Sequence, residues 1–268
     1  MHASETKWLA EGTVCDLDLP SGIAAAKAEA ALRYALSSEP IDVVVQAAAG
    51  RRKKILLADM DSTMIDQECI DELADEIGIK AEVAAITARS MNGEIAFEPA
   101  LRARVALLKG LETAVIGRII ERRITLASGA IELVGTMRAH GAHTALVSGG
   151  FESFTGPIAG KIGFHENRAN RLLEEGGRLT GLVAEPILGR SAKAEALAGI
   201  AAGLGLSPDD AIAVGDGAND LDMLRLAGTG VALHAKPVVA AEARTRIDHG
   251  DLTALLYIQG YRSHEFVS

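Results

Sequence analysis

The residues best suited to chemistry in this chain are acids placed where acids are costly. In ILLADMDSTMID, three aliphatic residues lead into Asp59, and Asp61 follows two positions later. Close carboxylates repel each other, and a buried charge needs an opposite charge or a metal ion. HTALVSGG likewise runs an apolar stretch into Ser148, Gly149 and Gly150, and AIAVGDGAND ends another in Asp216, Asn219 and Asp220. Lys193 opens a helical pattern between them. Carboxylates from two strands suit Mg²⁺, a hard cation that takes oxygen ligands, and Asp59 and Asp216 are the side chains expected to hold it. Ser148 and the amides of the glycines after it offer donors to phosphate oxygens, and Lys193 adds a point charge. One ionised carboxylate beside a metal-held phosphorus can attack it to form an aspartyl-phosphate. A second acid two residues away can protonate the leaving oxygen and then activate water. Taken singly, each patch reads as an ordinary turn, an Asx-rich loop or a solvated lysine. Their shared place after apolar strands is what points to phosphoryl chemistry.

Periodicity defines the elements that carry these patches. ILLAD, HTALVSGG and AIAVG are short apolar runs ending in polar residues, the pattern of buried parallel strands. They alternate with helical patterns in SGAIELVGTMRAHG, SAKAEALAGIAAGLG and LDMLRLAG. The expected fold class is therefore α/β, a doubly wound parallel sheet that binds ligands outside the carboxyl ends of its strands. From Asp66 to about Arg123 the patterns are helical only: QECIDELADEIG, EPALRARVALLKG and ETAVIGRIIERR. FESFTGPIAGKIG reads as a broken helix, NRLLEEGGRLTGLVAE as a hairpin turning at Gly176-Gly177, and the end of the chain as a last helix and a loose tail. Residues 1–50 read as a small separate α+β unit: a strand in GTVCDLDL, a helix in GIAAAKAEAALRYAL and a second strand in IDVVVQAA. GRRKK then reads as a solvated linker. The expected organisation is a small unit over 1–50, a core over 51–65 and 124–268, and a helical insertion over 66–123.

The chain has 268 residues, of which 49% are apolar, enough for a sizeable core. Its net charge of −9 argues against nucleic acid or an anionic membrane as the main partner, though a local cation can still recruit an anionic small substrate. No apolar stretch reaches the roughly 20 residues that cross a bilayer. MHASETKWLAEG lacks the basic start and apolar block of a secretory leader. Cys15 and Cys69 form no disulfide framework or zinc spacing and read as reduced core residues. A cytoplasmic protein is the expectation.

DMDST, VSGG, Lys193 and GDGAND together resemble the four motifs of the haloacid dehalogenase superfamily, in particular its phosphoserine-cleaving branch. The likeness spans about residues 55–255, includes the VALLKG text, and shows no departure at a motif position. It implies a Rossmann-like core with a helical cap inserted after the first motif, over residues 66–123. It also implies Mg²⁺-dependent hydrolysis of O-phospho-L-serine, with Asp59 as nucleophile and Asp61 as general acid and base. By the same likeness, the metal ligands are a carboxylate oxygen of Asp59, the carbonyl of Asp61 and the side chain of Asp216. Asp220 supports the metal's water shell, and Asn219 sits near the phosphate. In the cap, Glu68 matches the acid that reads the substrate ammonium, and Phe97 and Arg104 the groups that shield the site and grip the substrate carboxylate. An acid and an arginine suit the two charges of an amino acid; outside the likeness, both would read as solvated helix charges. Residues 1–50 are reminiscent of small regulatory modules, and read equally as an element for docking or for forming a homodimer. Two rival activities share these residues: transfer of the phosphoryl group to a small amino-alcohol, and sensing of a phospho-amino acid without turnover. A sensor has no need of the second acid.

Overall fold

The computed structural model describes residues 6–91 and 94–267. The first five residues of the expected N-terminal unit, residues 92–93 of the expected cap and Ser268 lie outside the described residues. The core is a six-stranded, all-parallel sheet in the order β10-β9-β8-β3-β4-β5. These strands are β3 (Ile55–Ala58), β4 (His143–Phe151), β5 (Glu166–Asn170), β8 (Ala211–Gly215), β9 (Thr229–Leu233) and β10 (Thr245–Ile247). The central strands are apolar throughout because helices cover both faces. Successive residues then divide between two cores: Leu56, Leu146 and Val214 pack on one face, and Leu57, Val147 and Ala213 on the other. The first face is covered by α6 (Ala130–Ala139), α7 (Glu152–Ile162) and α11 (Ala254–Ile258), and the second by α8 (Arg190–Gly203), α9 (Leu221–Leu226) and α10 (Pro237–Glu242).

Between β3 and β4 the chain forms α2 (Cys69–Glu76), α3 (Lys80–Met91), α4 (Phe97–Leu107) and α5 (Ala114–Arg122). The two chain passages at the root of this insertion are stitched together. Ile65 bridges Leu126, the Asp66 amide donates to the Thr125 carbonyl at 3.1 Å, and the Ala127 amide donates to the Met64 carbonyl at 3.0 Å. Asp66 also accepts the Thr125 hydroxyl at 2.7 Å. A second tie comes from the hairpin of β6 (Leu172–Glu175) and β7 (Arg178–Val183). It turns, as expected, at Gly176 and Gly177, whose positive φ values of 57° and 75° suit a tight two-residue connection. Its β7 edge exchanges backbone bonds with Gly110 and Leu111, at 2.8 and 2.9 Å.

Several expectations need correction. The strand read into IDVVVQAA does not form; only β1 (Lys7–Ala10), β2 (Val14–Asp16) and α1 (Ala25–Ala35) are regular there. Residues 41–48 instead lie along the core, where the Asp42 carboxylate accepts amides of Asp248, His249 and Gly250 and Gln46 donates to the Ile258 carbonyl. These side-chain bonds hold the segment against the 248–250 loop and the end of α11 rather than at a sheet edge. FESFTGPIAGKIG is one continuous helix that accommodates Pro157. The tail is docked rather than loose: Tyr261 is buried beneath Arg52, and the Val267 amide donates to the Thr136 hydroxyl at 2.9 Å. Among the described residues no helix is long and apolar enough to cross a membrane.

At β9 the sheet and α9 approach so closely that a methyl group at Gly230 would lie 2.0 Å from the Leu224 carbonyl oxygen. Gly230→Ala should therefore destabilise the protein by about 3 kcal/mol, the upper end for overpacking. Denaturant unfolding reads this directly; a loss below about 0.5 kcal/mol, the size of a surface change, would contradict the packing.

Candidate active site

The carboxyl rim of the sheet gathers the polar patches. Asp59 follows β3 and Asp216 follows β8, at the ends of neighbouring strands; Ser148 and Gly149 lie in the last turn of β4. Lys193 lies in the first turn of α8, and its side chain is buried with those of Asp59 and Asp220. Its Nζ stands 2.6 Å from Asp59 Oδ1 and 2.5 Å from Asp220 Oδ1. Asp220 Oδ2 accepts the Gly217 amide at 2.9 Å, so both of its oxygens are engaged. Asp216 meets the Thr63 hydroxyl and Lys236 Nζ only at 3.4 Å each.

The charge balance at this rim is unfavourable without a further cation. Asp59, Asp216 and Asp220 bring carboxylate oxygens within 4.8 Å of one another. Burial pushes the Asp59 carboxyl well above the ordinary carboxylate range; Asp220 and Asp216 add to the push and Lys193 opposes it. Asp216 is pushed up to about 6, again by burial first, with Lys236 opposing. For Lys193, burial works against the charge, yet Asp220 and Asp59 hold the ammonium above its usual range. An all-oxygen set with excess negative charge and two under-used carboxylates fits a hard divalent cation.

Asp61 stands apart from this cluster in its partners. One oxygen accepts the Cys69 amide at 2.9 Å, and the other faces the Ser148 hydroxyl at 3.4 Å. Burial, and then Glu68, push its carboxyl up to about 6. The chain reaches this arrangement through a tight turn in which Ser62 takes a positive φ of 55° and donates its hydroxyl to Glu68 Oε1 at 2.9 Å. The hydroxyls of Ser62 and Thr63 thus reach Glu68 and Asp216.

Above the rim lies a cavity of about 580 Å³. The expected residues Asp59, Asp61, Ser148, Gly149, Asp216 and Asn219 line its core side, and Glu68, Phe97 and Arg104 its cap side. Lys193 and Asp220 do not line it; they lie beneath, supporting Asp59. Phe97 begins α4 and closes over the β4 turn, so near that a methyl group at Gly149 would come within 3.2 Å of its ring. Arg104, two helical turns on, is half-buried, and burial lowers its guanidinium pKa while Glu68 and Asp71 oppose. Its Nη1 donates to the Thr87 hydroxyl at 3.2 Å. Thr87 on α3 and Lys236 before α10 also line the cavity and were not singled out from the sequence. A lone threonine in ARS-type helical text and a lysine before a proline carry no pattern of their own.

A rim of acids, a Ser-Gly-Gly turn and a buried lysine on a parallel sheet, with a helical insertion after the first strand, define a hydrolase of the haloacid dehalogenase-like family. That family's model matches residues 56–225, and the chain belongs to it. Over 208 residues the chain is 46% identical to the phosphoserine phosphatase of Albidiferax ferrireducens, covering 76% of this chain and 88% of that one. It is 41% identical over 206 residues to the phosphoserine phosphatase of Methanocaldococcus jannaschii, covering 77% and 97%. Among solved structures, a HAD family hydrolase from Salmonella enterica serovar Typhi matches with a TM-score of 0.85 at 32% identity, over 90% of this chain and 83% of that one. A substrate-bound phosphoserine phosphatase complex matches with a TM-score of 0.72 at 41% identity, over 76% and 97%.

Lys193 is the positive centre between two buried acids. Lys193→Met should cost about 3 kcal/mol in unfolding free energy, because removing one partner strands the others. Adding Asp220→Asn to that variant should recover part of the loss. Equal stability of the wild type and Lys193→Met would contradict this electrostatic arrangement.

Proposed function

We propose that the chain is a Mg²⁺-dependent phosphoserine phosphatase that hydrolyses O-phospho-L-serine to L-serine and phosphate. The observation that carries this reading is the division of the cavity: phosphate-type donors and acids on the core side, and an acid–arginine pair, Glu68 and Arg104, on the cap side. The names of the relatives support the same substrate. Asp59, the carbonyl of Asp61 and the Asp216 side chain would hold the ion, which would screen the acids and draw charge from the phosphoryl oxygens.

Lys193 holds Asp59 Oδ1, which leaves Oδ2 to attack phosphorus as the bond to the serine oxygen breaks. Asp61 gives its proton to that oxygen; its raised pKa of about 6 lets it carry a proton more readily than an ordinary aspartate. The Ser148 hydroxyl, the Gly149 amide and Asn219 hold the phosphoryl oxygens. In the second half, Asp61 takes a proton from water, the water oxygen bonds to phosphorus, and the bond to Asp59 breaks. Residues 66–123 act as the cap, with Phe97 keeping bulk water from the first step. Glu68 reads the substrate ammonium and Arg104 its carboxylate.

The start of the chain, ahead of the segment 41–48 that lies along the core, serves as a regulatory module or as an element for docking or for making a homodimer. Exposed Trp8, Leu17 and Tyr34 support an interaction role. The free thiols of Cys15 and Cys69 support a cytoplasmic setting, and the acidic surface an assignment to a small-molecule substrate rather than nucleic acid.

Asp59→Asn should abolish phosphate release while leaving the protein folded; measurable turnover by this variant would remove Asp59 as nucleophile. Arg104→Met should raise the KM for phosphoserine by about tenfold or more, the scale of one charge-assisted contact. It should leave hydrolysis of p-nitrophenyl phosphate nearly unchanged. Parallel losses on both substrates would remove Arg104 from substrate reading.

A further inference from the structure

The turn that holds Ser148 lies outside the sheet's hydrogen-bond ladders. β4 pairs with β3 only through Leu146, and its pairing with β5 breaks after Val147 and resumes with Phe151 opposite Asn170. Residues 148–150 therefore form an irregularity in the pairing of β4 with β5. One of their bonds is internal, from the Gly150 amide to the Ser148 hydroxyl at 2.8 Å. The other comes from Asn170, the last residue of β5, whose Nδ2 donates to the Gly149 carbonyl at 2.9 Å.

Asn170 does not stop there. Its Oδ1 accepts the Leu188 amide at 2.7 Å, and Nδ2 also reaches the Leu188 carbonyl at 3.4 Å. Leu188 precedes Gly189, the N-cap of α8, and Lys193 stands in that helix's first turn. One amide side chain, 2% exposed, thus joins the Ser-Gly-Gly turn to the segment that launches the buried lysine. A buried asparagine is costly unless both ends are bonded, and here both ends are spent on these two backbones.

We propose that Asn170 is a positioning residue that fixes the Ser148–Gly150 turn against the start of α8, so that the turn's donors and Lys193-held Asp59 address the same phosphoryl group. This rests on the phosphatase reading above. It touches no substrate; it acts through Gly149 and Leu188. An aspartate would keep the Leu188 amide bond but face the Gly149 carbonyl with a second acceptor, and an alanine would lose both bonds. Displacement of such a turn by an ångström costs on the order of 100-fold in rate when alignment is at stake.

The test is kinetic and uses the full-length enzyme loaded with Mg²⁺. Asn170→Ala and Asn170→Asp should lower kcat by about tenfold or more. They should weaken inhibition by inorganic phosphate by a similar factor and leave inhibition by L-serine, which engages the cap side, near the wild-type value. Where Asn170→Ala fails to fold, Asn170→Asp, which preserves shape and one bond, carries the same comparison. A fall in melting temperature with kcat and phosphate inhibition unchanged per folded molecule would overturn the proposal. So would equal weakening of phosphate and L-serine inhibition. Should the wild type not cleave phosphoserine, the substrate reading fails on its own, and phosphate inhibition of p-nitrophenyl phosphate hydrolysis still reads Asn170.

Discussion

Everything at the rim depends on one electrostatic constraint: three buried carboxylates share a space with one buried ammonium. Lys193 at 2.6 Å from Asp59 and 2.5 Å from Asp220 lets the acids coexist, and does not neutralise them. Desolvation of a carboxylate is tolerated only with charges or donors to meet it, and the remaining deficit lies on Asp59 and Asp216. The site is thereby prepared for a cation and for a ligand that brings its own oxygens. Asp220, with both oxygens already bonded, is the anchor of the arrangement.

The fold makes this constraint affordable by stiffness. Strands buried on both faces fix where β3, β4 and β8 end, and the acids hang from those ends on short turns. The cap is tied to the core twice, at the Ile65–Leu126 bridge and along the β7 edge, so the groups on α4 approach from a defined direction. Asp61 lies where the two parts meet: its carboxylate accepts the first amide of α2 and faces Ser148 on β4. The proton exchange with leaving oxygen and water that we propose for Asp61 is served by this place between the core-side and insertion-side groups.

Much of this was legible in the sequence where a run of apolar residues ends in a polar one. ILLAD and AIAVG announce both a buried strand and the rim at its end, so Asp59 and Asp216 could be paired before any coordinates. The helical stripes of the insertion were equally plain. β5, by contrast, reads ENRAN: an edge strand with polar side chains has no alternation to find, and its last residue, Asn170, was read into the hairpin that follows. Lys236 and Thr87 were missed because their roles exist only across elements. The error at IDVVVQAA has the opposite cause. Three consecutive valines favour a strand, but a strand needs an edge to pair with, and Asp42 and Gln46 bind that segment to the 248–250 loop and the end of α11 instead.

The central claim is that Asp59, held by Lys193, forms the covalent bond to phosphorus. Acid quenching of the enzyme during turnover of ³²P-labelled phosphoserine, followed by peptide mapping, tests it most directly. The expected result is label on the peptide containing Asp59, lost in Asp59→Asn. Steady hydrolysis with no protein-bound label, or label on a peptide without Asp59, would contradict it.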